Sequence, residues 1–355
     1  MTFDKIKKNV SQQVLVVGPD YRNPKGGIAA VLNVYSSIFE RFLFLSTCPQ
    51  NSKSLLIKEL YALFSIVKLF LILLVNNDIK ILHVHSSSRG SFRRKRIVIR
   101  IGKLFGKKII FHSHSGHFKE FRNEHLIMVD NTLKRCDIIV ALSNEWKDYF
   151  NGIGFHNVEV INNVINSPVY NEIKWDNKLH CLFLGLIGDN KGIFDLLSVL
   201  EEHHSVLKGH FMLHIGGNGE IIKLNKFIED HQLSDIISFE GWVDKDKKIE
   251  LYNKTSAFIL PSYHEGVPIT LLEAMSYKKA VITTPVGGIP SIVKNGYNGL
   301  LVNPGNKKEI WNAIDYIMKN PNECKKFGEN GYNISKNYLP ETISKQLFKL
   351  YQSLC

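Results

Sequence analysis

Residues 261–290 read PSYHEGVPITLLEAMSYKKAVITTPVGGIP and follow the apolar run Ala257–Leu260. Two carboxylates, Glu265 and Glu273, stand eight residues apart in this stretch. Glu265 falls in a loop after a strand, and Pro268 suits the first turn of a helix that carries Glu273. Eight residues is slightly more than two helical turns. The pair therefore brackets a helix N-terminus, whose unpaired backbone N–H groups can hold a phosphate. A loop carboxylate for hydroxyls, N–H groups for phosphate and a helix carboxylate for further hydroxyls together describe a sugar-nucleotide site. Two isolated glutamates at this spacing would be surface charges; the Pro-Ser…Glu-Gly-Val-Pro…Leu-Glu-Ala-Met setting separates this pair from that reading.

Working outward, apolar runs bounded by turn residues recur at 180–184, 211–215, 237–239, 257–260 and 280–283, with helical patterns between them. An equivalent series precedes it at 13–18, 79–85, 108–112, 137–141 and 158–161. Strands alternating with helices predict parallel sheets with crossover helices. Two consecutive doubly wound units follow, an α/β architecture in which facing units share a cleft at the carboxyl ends of their strands. The expected division is 1–168, 169–338 and a terminal helix in 339–355 that docks back on the first unit. The polar stretch from Asn162 to about Lys178 is the expected hinge.

Residues 257–299 resemble the signature region of the GT-B retaining glycosyltransferases of family 4 (glycosyl transferase group 1). The resemblance rests on the E-x7-E element at Glu265 and Glu273, on Pro285-Val-Gly-Gly-Ile-Pro and on Asn295-Gly-Tyr-Asn-Gly-Leu-Leu. It implies that Glu265 contacts donor-sugar hydroxyls and Glu273 the ribose, with Gly266, Val267 and Pro268 beside the phosphate. Residues 183–192, FLGLIGDNKG, resemble the family's Gly-Arg-Leu-x-x-x-Lys-Gly loop, so Lys191 is assigned to the donor diphosphate. Leu186 stands where that loop usually has arginine. Gly217, within Gly216-Gly217-Asn218-Gly219-Glu220, matches a glycine turn near the nucleotide, although tight turns also need glycine for their own sake. Gly26 and Gly27 open a helix after the first strand, and the resemblance implies that their backbone approaches the donor phosphate. The Gly-x-Gly-x-x-Gly dinucleotide spacing is absent there.

Histidines crowd the ends of two first-half strands, at His83 and His85 and at His112, His114 and His117. Alternating histidines can line one strand face and hold a metal. The family is metal-independent at this step, so no metal or other cofactor is expected. By the resemblance, His114 faces the donor sugar or the acceptor; His83 and His112 are read as packed or hydrogen-bonded structural residues.

The chain of 355 residues carries a formal net charge of +12. All of that excess lies in residues 1–165, with 24 basic and 12 acidic side chains, against 21 of each in 166–355. An anionic partner for the first half follows. Arg89, Arg93, Arg94 and Arg96 belong to a run from 86 to 108 without an acid, which suits an acceptor or an anionic membrane surface. No recognition motif for nucleic acid accompanies it. Residues 55–75 are almost wholly apolar, yet Lys58, Glu59 and Lys68 interrupt them, which argues against a span. Two readings remain for this helix: packed against a sheet, or pressed onto a membrane. Five unpaired cysteines and the absence of a signal-peptide pattern indicate a reducing cytoplasm, with the chain peripheral on the inner membrane face.

The expectation is an enzyme that transfers a hexose or N-acetylhexosamine, with retention, from a nucleotide sugar to a lipid-linked or polysaccharide acceptor in cell-surface glycan assembly. The alternatives are a sugar-nucleotide epimerase on the same fold and a non-catalytic protein that binds anionic polymer or membrane.

Overall fold

Strands buried on both faces lose the alternation of a half-exposed sheet and read as continuous apolar runs. The computed structural model, which describes residues 4–22, 26–49, 54–171 and 178–355, contains two sheets of this kind. The chain divides into one unit of residues 1–166 with 337–355 and a second of residues 167–336. The expected hinge lies in part at 172–177, outside the described residues.

The first unit contains β1 (Val14–Gly18), β2 (Leu43–Ser46), β3 (Ile81–Ser86), β4 (Lys108–Ser113), β5 (Ile138–Ala141) and β6 (Val158–Val160). They form one parallel sheet in the order β2-β1-β3-β4-β5-β6. One face carries Leu15, Val17, Leu82, Val84, Ile109 and Phe111, packed with Leu69, Leu73, Phe92, Val98, Ile99 and Phe150 from the covering helices. The other face carries the histidines. His85 pairs with His112 in register, and the rings of His83, His85, His112 and His114 stack at centroid distances of 4.3–5.3 Å.

Two helices close over that second face. Tyr35, from Gly27–Ile38, meets the His85 ring edge-on at 5.2 Å. Tyr351, from the terminal helix Pro340–Gln352, shares a hydrogen bond of 2.7 Å with His83 Nδ1 and packs 6.0 Å from the Phe39 ring. The terminal helix is thus part of the first unit's interior. Tyr351→Phe keeps the ring but leaves a buried imidazole nitrogen unpaired, so it is expected to cost about 1–2 kcal/mol. A urea titration comparing it with the parent chain measures that loss.

The second unit contains β7 (Leu179–Leu184), β8 (Phe211–Gly216), β9 (Ile237–Gly241), β10 (Ala257–Leu260), β11 (Ala280–Thr283) and β12 (Gly299–Leu301). These strands are parallel, in the order β12-β11-β10-β7-β8-β9. The sequence reading misses β2 and β12, which are edge strands of four and three residues. Segments that short show no periodicity.

Candidate active site

In the second sheet the chain runs outward in one direction from β7 and in the other from β10. The two strands are adjacent, and the loops at their carboxyl ends diverge there. Open α/β sheets bind ligands at such a point. The loop after β7 carries Lys191, and the loop after β10 carries Glu265.

Backbone contacts hold these two loops together. Tyr263 N donates to the Asn190 carbonyl at 3.0 Å. Gly192 has φ +66°, and a Cβ there would lie 2.1 Å from the Pro261 oxygen. Glycine is therefore required by both conformation and space. The Val-Gly-Gly segment supports the Glu265 loop from behind. Gly287 has φ +56°, and its Cβ would meet the Glu265 carbonyl oxygen at 1.8 Å, while Gly288 N donates to the Gly266 oxygen at 2.7 Å. The Thr284 hydroxyl fixes the Ser262 carbonyl at 2.6 Å.

The result is a close charge pair: Lys191 Nζ donates to Glu265 Oε1 at 2.5 Å, and Ser262 Oγ donates to the same oxygen at 3.0 Å. Both charged side chains are largely covered, with 20% and 11% of their surface accessible. Leu186, at the usual arginine position, is 52% exposed at the end of β7 and supplies no charge. Gly217 lies beside this loop, its backbone against that of Gly185.

Glu273 projects from the helix Ile269–Ser276 and is buried. Pro268 is the N-cap of that helix rather than a residue of its first turn; its ψ of 126° is extended, so the helical backbone begins at Ile269. Lys248 Nζ donates to Glu273 Oε1 at 2.6 Å. The Tyr252 hydroxyl lies 3.2 Å from Oε2 and 2.9 Å from the Thr270 carbonyl, sharing one proton between them. Burial first, then the Glu273 charge, hold the Tyr252 phenol well above its usual range. Lys248, Tyr252 and Ser262 are partners that the sequence reading missed. Lys248 stands in the charged run Lys245–Glu250, where nothing distinguishes it from its neighbours. Glu273→Gln is expected to lower stability by about 1–3 kcal/mol, because the buried amide cannot neutralise Lys248. Thermal denaturation measures this, and Glu273→Gln with Lys248→Met should recover part of the loss.

Asn295-Gly-Tyr-Asn-Gly-Leu-Leu is a turn that feeds β12. Asn298 is buried, accepts from Lys294 N at 2.8 Å and donates to the Ile292 carbonyl at 3.0 Å.

In the first unit the corresponding reversal lies between β1 and β3. Gly26 caps the helix that starts at Gly27, after β1, and Arg89 caps the helix Gly90–Leu104, after β3. Arg89 and Arg93 are exposed, and Arg94 and Arg96 are half-buried. Lys95 turns inward, fully buried, to donate to Thr47 Oγ1, and burial followed by the Arg94 charge pushes it down to about 7. His114, one residue past β4, is half-buried, with Nε2 2.9 Å from His85 Nδ1. His83, His85 and His112 bring ligand-type nitrogens within 4.8 Å of one another. Both His83 nitrogens are engaged, by Tyr351 and by His112 Nδ1 at 3.1 Å. Burial and the neighbouring imidazoles hold all three well below the usual histidine range. Nε2 of His85 and Nε2 of His112 are buried without a hydrogen-bond partner among the described residues.

Residues 171–334, which include Lys191, Glu265 and Glu273, match the family model for glycosyl transferases group 1. Nearly half of the chain is thus similar to the group 1 glycosyl transferases. An uncharacterized glycosyltransferase of Methanocaldococcus jannaschii is 28% identical over 269 residues, 70% of this chain and 69% of the relative. A capsular polysaccharide biosynthesis glycosyltransferase of Staphylococcus aureus, CapM, is 26% identical over 239 residues, 64% of this chain and 61% of its own. The crystal structure of Anabaena HepE in complex with UDP has the same fold, with a TM-score of 0.78 at 16% identity over 96% of this chain and 100% of HepE. The chain therefore has the GT-B fold, with one Rossmann-like sheet in each unit. The E-x7-E glutamates sit in two separate polar clusters, one at each end of a short loop-helix segment.

Proposed function

We propose that the chain transfers a hexose or N-acetylhexosamine, with retention at the anomeric carbon, from a nucleotide sugar to a lipid-linked or polysaccharide acceptor. The observation that carries this reading is the Lys191–Glu265 pair at the strand-order reversal of the second unit. A departing nucleoside diphosphate gains negative charge, and a fixed ammonium beside it lowers the barrier. Lys191 supplies that ammonium. Leu186 brings no second cation from the same loop, so Lys191 bears this task for the loop alone.

Glu265 accepts from the sugar hydroxyls and Glu273 from the ribose. Gly266, Val267 and Pro268 lead into the helix at Ile269, whose first-turn N–H groups face the diphosphate. The acceptor hydroxyl attacks the face the leaving group vacates, and the donor phosphate takes its proton. No protein nucleophile and no metal enter this scheme. His114 and Arg89 act on the acceptor side, with Gly26 and Gly27 offering unobstructed backbone to a phosphate. UDP is the first nucleotide to test, because HepE is crystallised with it. Capsule or related cell-surface glycan assembly is the process to which the CapM likeness points.

The test is nucleotide release from UDP-, GDP- and ADP-sugars, with and without membrane lipid extract. Lipid- or glycan-dependent release from one donor is the expected result. Absence of both release and nucleoside-diphosphate binding would overturn the reading. Conversion of the donor sugar without an acceptor would replace it with an epimerase.

A further inference from the structure

Amphipathic helices of globular proteins turn their apolar side inward. The helix Leu55–Val75 is apolar on both sides. Its inward stripe includes Ala62, Ser65, Leu69 and Leu73, with the half-buried Lys58 toward its N-terminal end and the half-buried Tyr61 at its border. Ser65 is buried and satisfies its hydroxyl on the Ala62 carbonyl at 2.7 Å. Outward stand Leu56, Ile57, Leu60, Leu63, Phe64, Val67, Phe70, Leu71, Leu74 and Val75, exposed by 43% at Phe70 to 82% at Val75. At 100° per residue these ten side chains fill an unbroken arc of about 140°, bordered by Glu59 on one side and Lys68 on the other. A contiguous apolar surface of this extent marks an interaction face.

The neighbouring helix Gly90–Leu104 covers the same sheet face, since Phe92, Val98 and Ile99 enter one core with Leu69 and Leu73. The outward sides of the two helices therefore point the same way, and they meet where Phe70 packs edge-on against Phe105 at 5.1 Å. The second helix exposes Arg93, Ile97, Arg100 and Leu104, a stripe at helical spacing in which cations alternate with apolar residues. No acidic residue occurs from 79 to 119. Among the described residues, no helix is long and apolar enough to cross a membrane.

We propose that this two-helix face lies flat on an anionic lipid bilayer, with the 55–75 arc immersed among the acyl chains and Arg93 and Arg100 at the headgroups. A helix with a wide apolar face and flanking cations is held there by buried apolar area and by attraction to anionic lipid. The charge pattern selects this occupant over a second copy of the chain. A two-fold interface sets a patch on itself, which would place Arg93 and Arg100 against their own kind, with Glu59 the one acid on the two helices to answer them. The proposal rests on the glycosyltransfer reading only in that a lipid-linked acceptor would give the surface its use.

The test is sedimentation of the full chain with phosphatidylglycerol/phosphatidylcholine vesicles and with phosphatidylcholine vesicles alone. The expected result is binding to the anionic vesicles that weakens at least tenfold in Leu63→Glu/Val67→Glu, and that Arg93→Glu/Arg100→Glu reduces on anionic vesicles only. Leu63 and Val67 are exposed, so the first variant should keep the parent's melting temperature and nucleoside-diphosphate affinity. Parent chain left in the supernatant, or a Leu63→Glu/Val67→Glu variant that sediments like the parent, overturns the proposal. So does a dimer in light scattering that this variant dissolves, because a second copy would then cover the face. Loss of donor turnover with vesicle binding intact would sink the transfer reading and leave this one standing; the reverse outcome would sink only the membrane face.

Discussion

Glu265→Gln is expected to lower the rate of nucleotide release about 100- to 1000-fold while the chain still folds. The carboxylate has two roles in the proposed chemistry. It accepts from sugar hydroxyls, and it holds the Lys191 ammonium in place at 2.5 Å. The amide retains the shape and the Ser262 hydrogen bond but not the charge. Lys191→Ala should cost a comparable factor, falling on kcat more than on KM, because the leaving diphosphate is most charged in the transition state. Since the two groups act as one pair, the double variant should fall well short of the product of the two single losses. The measurement is steady-state release with the preferred donor for all four proteins. Full activity in Glu265→Gln, or strictly multiplicative losses, would remove the pair from the mechanism.

The first unit is expected to lose stability steeply once the pH falls below about 6.5. Burial pushes His83 and His114 down to about 3, the His114 charge adding to the effect at His83 and a hydrogen bond with Asn163 opposing it at His114. Burial likewise holds His85 and His112 well below the usual range. The sign follows from which state takes the proton. A histidine free in the unfolded chain protonates near 6.5, whereas in the stack it stays neutral until about 3. Stability is therefore complete above pH 6.5 and drains away as the pH falls toward 3, at about 1.4 kcal/mol per pH unit for each histidine so held. Two such groups alone remove roughly 3 kcal/mol between pH 6 and 5, where ordinary carboxylates have not begun to titrate. Amide hydrogen exchange in β3 and β4 at pH 7, 6 and 5 reads this locally. Unchanged protection across that range would contradict it.

Much of the candidate site is legible in the amino-acid sequence, because it lies in contiguous segments. Strand, loop and helix at 257–276 are read from apolar runs and a proline, and Glu265 and Glu273 follow from the spacing. The braces behind them are not legible. Gly287 and Gly288 stand out as a motif, but a linear sequence does not reveal that they press on the carbonyls of residues 265 and 266, about twenty positions away. Lys248 and Tyr252 reach Glu273 from another helix, and their local pattern is that of an ordinary charged surface helix.

Local sequence is enough to set the alternation of strand and helix, the two-unit plan, the acid-free basic run and the residues that line the nucleotide-type loops. All of these depend on neighbours within a few turns of chain. Which groups meet is a matter of tertiary packing. Strand order sets Lys191 against Glu265, pairing in register stacks four histidines beneath Tyr35 and Tyr351, and the sheet decides which side of the 55–75 helix it covers. Both sides of that helix are apolar in sequence, and only the packing decides that the stripe of Ala62, Ser65, Leu69 and Leu73 is covered while the wider apolar arc stays outside.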